Sequence, residues 1–180
     1  MLQLDFIVII NIMKNFILVF VFFATLPALA FPIPKDNEVT FEVIRKNKNI
    51  GTVTTTFQEN EGEVKVHTIV EIEVKLFLIT AYKFFQETTE TWINNEFVKI
   101  EGYTDFEDER EYFIKGEDTE ENFIASGMDG ELKLDKNIIP LNYWNKEILE
   151  KEEIFDTQKG IVRKISVTRL ENEIIKIDNK

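Results

Sequence analysis

The sequence predicts an all-β fold, or a β-rich α+β one: a curved antiparallel sheet or half-barrel with one short helix near residues 142–151. Three observations predict it. From Val39 onward apolar and polar residues alternate with period two, the mark of strands with one buried face. Asn, Asp and Gly pairs interrupt the alternation at short intervals, where tight hairpins need positive φ. One segment alone, after Pro140, carries Trp144, Ile148 and Leu149 at near-helical spacing.

The elements follow in order. Residues 1–30 hold two charges, Asp5 and Lys14, an apolar run FILVFVFF at 16–23, and a small-residue ending Ala28-Leu29-Ala30. That pattern reads as a secretory signal peptide cleaved after Ala30, with Met13 next to Lys14 as the start of translation. The alternative is an uncleaved N-terminal membrane anchor, because the apolar stretch approaches spanning length. Residues 31–38, with Pro32 and Pro34, form an extended leader. Residues 39–180 form a single antiparallel β domain. Thr40–Arg45 and Ile50–Phe57 make a hairpin about Asn47-Lys48-Asn49, and Asn60-Glu61-Gly62 turns into a long strand over 64–76. Tyr82–Ile93 and Glu96–Thr104 pair around Asn94-Asn95. Short strands follow at 110–115, 121–126 and 131–134, the last two joined by Met128-Asp129-Gly130. After an Asn-capped helix over 142–151, Gly160 separates Ile154-Phe155 from a last strand pair, 161–170 with 173–177.

Composition excludes several functions. The chain has 21 Lys+Arg against 33 Asp+Glu, a net charge of −12, all of it outside residues 1–30. Nucleic-acid binding needs a basic face to neutralise phosphates, and this balance opposes it. The charge also repels anionic headgroups, so no stable membrane attachment remains after cleavage. With no Cys, disulfides, thiol nucleophiles, iron–sulfur clusters and a bacterial lipid-anchor point are all excluded. His67, the one imidazole, falls on the polar phase of a strand and reads as a surface residue. The acidic groups around 105–111 and 117–121 lack the spacing of a calcium loop, so no metal site is expected.

The aromatic residues carry the functional reading. Tyr82, Phe84 and Trp92 share one strand phase, with Gln86, Thr88 and Glu90 threaded between them, and Tyr143 and Trp144 lie just after Pro140. Such a face suits a lined, partly wet cavity as well as a dry core. The expected ligand site comprises Phe84, Trp92, Tyr143 and Trp144, with Glu90 and Asn145 as polar anchors at its mouth. No catalytic residue and no cofactor is expected.

FEVIRKNKNIGTVTTTF, IVEIEVKLFLITAYKFFQETTETWINNEFVKIEGYTD and IPLNYWNKEILEKEEIFDTQKG together resemble a family of secreted bacterial proteins, the domain-of-unknown-function family DUF6134. The resemblance covers about Val39 to Lys180. Its most specific parts are Glu90-x-Trp92, Tyr143-Trp144-Asn145 and Asp156-Thr157-Gln158-x-Gly160. Two departures stand out: asparagine replaces a turn glycine at Asn94-Asn95, and family members continue for two strands beyond this ending, so the domain is expected to lack its last strands. The resemblance implies a curved sheet with one face sheltered, similar to the half-barrels of periplasmic lipoprotein carriers. The expectation is a non-catalytic periplasmic or secreted protein that shelters a lipid, an acyl chain or another apolar small molecule. The alternative is an envelope interaction or scaffold protein with a solid core and an acidic surface. The oligomeric state is left open.

Overall fold

The computed structural model describes residues 33–77, 79–107 and 110–171. The expected signal peptide over 1–30, the acidic pair Asp108 and Glu109, and the expected last strand 173–177 lie outside the described residues.

Eight strands form one antiparallel meander in sequence order: β1 Glu38–Arg45, β2 Lys48–Asn60, β3 Glu63–Leu76, β4 Ile79–Ile93, β5 Glu96–Asp105, β6 Glu111–Asp118, β7 Phe123–Gly127 and β8 Gly130–Leu134. β1 and β8 are its edges, so the sheet does not close into a barrel. Three hairpins turn on two-residue loops with positive φ at both positions: Lys46 (50°) and Asn47 (59°), Glu61 (47°) and Gly62 (85°), Asn94 (51°) and Asn95 (69°). Those backbones match the twist of the flanking strands. The first loop lies one residue earlier than expected, because Lys46 rather than a second asparagine takes the left-handed conformation.

The inner face is the one that alternation makes apolar. Phe57 of β2, Val64 and Val66 of β3, Phe84 and Trp92 of β4, Phe97 and Ile100 of β5, Ile114 of β6, and Phe123 and Ala125 of β7 are all buried on it. The chain's own C-terminal part packs against this face. There β9 (Glu153–Asp156) pairs with β10 (Ile161–Lys164), and Pro140 forms a parallel bridge with Phe155. Phe155 N donates to Ile139 O at 2.9 Å, and Leu141 N donates to Phe155 O at 2.8 Å. The Phe155 ring reaches Phe123 at 6.5 Å between centroids.

Two glycines make this docking possible. A Cβ on Gly127 would stand 2.5 Å from Gly160 Cα, and Gly160 itself has φ 67°. At that approach Met128 N donates to Lys159 O at 2.7 Å, tying the turn after β9 to the β7–β8 hairpin.

Two expected elements differ. The helix over 142–151 is a single 3-10 turn, Lys146–Glu150, capped by Asn145 rather than Asn142. Asn142 is engaged elsewhere: its Oδ1 accepts from Asn145 N and its Nδ2 reaches back to β4, which holds the chain extended. The strand expected over 161–170 ends at Lys164 and pairs back with β9, the nearer partner across the Gly160 turn.

Candidate functional site

β4 delivers the expected phase. Phe84, Gln86, Thr88, Glu90 and Trp92 are all buried on the inner face, while Tyr82, in the same phase, is exposed at the uncovered end of the strand. Cross-strand register places Thr55, Thr68 and Thr88 in one row over β2, β3 and β4, and Val53, Val70 and Gln86 in the next. Thr55 and Thr68 share a hydrogen bond of 3.0 Å between their hydroxyls. Gln86 Nε2 donates to Thr157 Oγ1 at 3.1 Å, and the Thr157 hydroxyl donates to Leu141 O. Polar side chains thus fasten the sheet to the segment that covers it.

Glu90 is the centre of this arrangement. Trp92 Nε1 donates to Glu90 Oε2 at 2.9 Å, and Asn142 Nδ2 reaches the same oxygen at 3.4 Å. Burial pushes the Glu90 carboxyl up to about 8, against the lowering effect of those two donors. It is therefore protonated at neutral pH. Its neighbours in register, Val66 on β3 and Ile100 on β5, are uncharged.

The expected site residues do not all meet one space. Trp144 packs edge-on against Phe57 (5.5 Å between centroids) and Trp92 (5.4 Å), joining the cover to the core. Phe84 lies farther along β4 against Phe106 at 5.1 Å. Tyr143 is 75% exposed at the outer rim. Glu90 and Asn145, expected at a mouth, are both buried, and Asn145 spends its side chain on Glu147 N at 3.0 Å. Thr55, Thr68, Asn142 and Thr157 were not legible as site residues. The one signal for Thr55 was its phase, shared with Phe57 in the 50–57 strand.

A pocket of about 40 Å³ remains between sheet and cover, lined by Thr55, Thr68, Gln86, Thr88 and Glu90 from the sheet and by Leu141, Asn142, Tyr143, Trp144, Thr157 and Gln158 from the cover, with Val53 and Val70 completing its lining. One water needs roughly 10–15 Å³, so the pocket takes about two to four waters or one small polar group. A shallower cleft of about 410 Å³ lies between the β4–β5 turn and the 3-10 turn, where Lys136 Nζ pairs with Asp118 at 3.1 Å and Glu96, Glu147 and Lys151 mix both signs of charge.

A family described as a domain of unknown function, DUF6134, matches residues 41–180. The chain belongs to this family. The DUF6134 match takes in the Glu90–Trp92 pair, the Tyr143–Asn145 stretch and the Gly160 turn, so the cover, the pocket and all of the sheet beyond the first three residues of β1 fall inside it. No curated protein and no solved structure matches the chain. Among the described residues no helix is long and apolar enough to cross a membrane.

Proposed function

We propose that this DUF6134 protein works outside the cytoplasm as a non-catalytic binder of an amphiphile. A small polar head enters the threonine-lined pocket, and an apolar chain lies along the uncovered part of the inner face. One observation carries the reading: Val53 and Val70 line the polar pocket and also begin a half-buried apolar strip on the inner face. The strip continues through Ile72, Val74, Phe41 and Tyr82, of which Phe41 and Tyr82 are exposed.

The dimensions fit. From Val70 to Val74 the strand rises roughly 13 Å at ~3.3 Å per residue, about the length of a ten-carbon chain. A fully buried methylene yields ~0.8 kcal/mol, and a chain covered on one side gains about half of that, about 4 kcal/mol before the costs of association. The protonated Glu90 and the threonine hydroxyls can donate to a carbonyl, hydroxyl or carboxyl head. The secretion signal read in residues 1–30 supports an extracytoplasmic setting, where a lipid or acyl chain is at hand.

Native mass spectrometry of folded protein recovered from cells tests the proposal. A bound species with the mass of a single-chain amphiphile is expected. Protein that is consistently unliganded, and that also fails to take up added dodecanoic acid, would overturn it.

A further inference from the structure

The outer face of the sheet departs from the rule for a solvent-facing surface, where alternation puts polar residues. Phe85 of β4, Tyr103 of β5 and Phe113 of β6 form a diagonal aromatic row across three adjacent strands. Ring centroids are 6.3 Å apart for Phe85 and Tyr103, and 4.9 Å for Tyr103 and Phe113. Phe113 is 68% exposed, and nothing in the described chain covers it. Solvated aromatic surface of this kind, contiguous rather than scattered, marks an interaction site.

The charges around the row select its occupant. Glu71 and Asp105 are the register partners of Phe85, Glu111 faces Asp105, and Glu87 faces Tyr103; Lys83 and Lys115, two residues from Phe85 and Phe113 in the same phases, are outnumbered by these four carboxylates. Glu87 is shared with His67 at 3.4 Å, whereas Glu71, Asp105 and Glu111 have no cation within ion-pair distance among the described residues. Glu111 instead accepts from the Tyr103 hydroxyl at 3.0 Å, which holds that ring in place. Ring faces flanked by carboxylates suit guanidinium groups, which stack on aromatics and donate to carboxylates at once.

We propose that this outer face docks an arginine-rich extended segment of a partner protein. A second copy of this chain is disfavoured, since it would bring one acidic patch against another on a molecule of net charge −12. An anionic membrane surface is repelled on the same ground.

The test is fluorescence anisotropy with labelled octa-arginine at about 0.15 M salt, where surface charges are screened beyond about 8 Å. Phe113→Ser leaves the net charge unchanged and, being exposed, leaves the fold intact; it should weaken binding about tenfold. Glu71→Gln with Glu111→Gln should weaken it by a similar factor. Glu59→Gln with Glu61→Gln, the same charge change at the β2–β3 turn, should leave it within about twofold. The proposal is overturned if Phe113→Ser binds normally, or if the turn pair weakens binding as much as the patch pair. It is also overturned if octa-arginine does not bind, or if size-exclusion chromatography shows a dimer that Phe113→Ser dissolves.

Discussion

Trp92 donates its indole N–H to the carboxyl of Glu90, two residues back on the same strand face, at 2.9 Å. Asn142 reaches the same oxygen from the covering segment. A buried acid therefore sits at the junction of sheet and cover, and its protonation state is tied to folding. The native state holds a proton up to about 8, whereas the unfolded chain releases it near 4.5. Glu90's contribution is fully present below about 4.5 and is lost progressively as pH rises toward about 8.

Replacing Glu90 by Gln keeps a polar side chain in place and removes that titration. Urea unfolding between about pH 5.5 and about pH 7.5 should show the natural protein losing up to ~1.4 kcal/mol per pH unit more than Glu90→Gln. Equal slopes in the two proteins would mean that Glu90 is ionised when folded.

The approach of Gly127 to Gly160 gives a contrast within one residue type. Gly160→Ala should cost about 2 kcal/mol or more, since its Cβ would meet Gly127 Cα at 2.6 Å and its φ is 67°. Gly130→Ala has a similar φ, 88°, but open space around it, and should cost only about 1 kcal/mol. Thermal unfolding of the two variants decides the matter; equal losses would show that the close approach contributes nothing.

Trp144 joins the cover to the core through ring contacts with Phe57 and Trp92. Trp144→Ala should destabilise by about 2–3 kcal/mol, less than a fully buried tryptophan because the ring is half-buried. Trp144→Phe should recover part of that in denaturant midpoints. A loss below ~0.5 kcal/mol would show that the cover is held without it.

Much of the sheet was legible because its signals are local. The phase of Phe84, Gln86, Thr88, Glu90 and Trp92 follows from period two, and Asn94-Asn95 announces its turn because asparagine tolerates positive φ. The cover was not legible. Whether residues 142–151 coil into a helix depends on Asn142, whose partner Glu90 lies far back in the sequence. The docking of the Gly160 turn on Gly127 is likewise a long-range contact that no local pattern encodes. The pocket is built from both halves, so the sequence showed its aromatic rim and Gln86, Thr88 and Glu90, but not Thr55, Thr68 and Thr157.

The most direct test of amphiphile binding uses the two tryptophans as reporters, since Trp144 lines the pocket and the Trp92 ring packs against the Trp144 ring. Titration with a bromine-labelled dodecanoic acid should quench their fluorescence and saturate at one ligand per chain. Val70→Glu and Ile72→Glu should each abolish the quenching, with denaturant midpoints confirming that each variant is folded under the assay conditions. Absence of quenching up to the solubility limit of the acid, or quenching that persists unchanged in both folded variants, would contradict binding on the inner face.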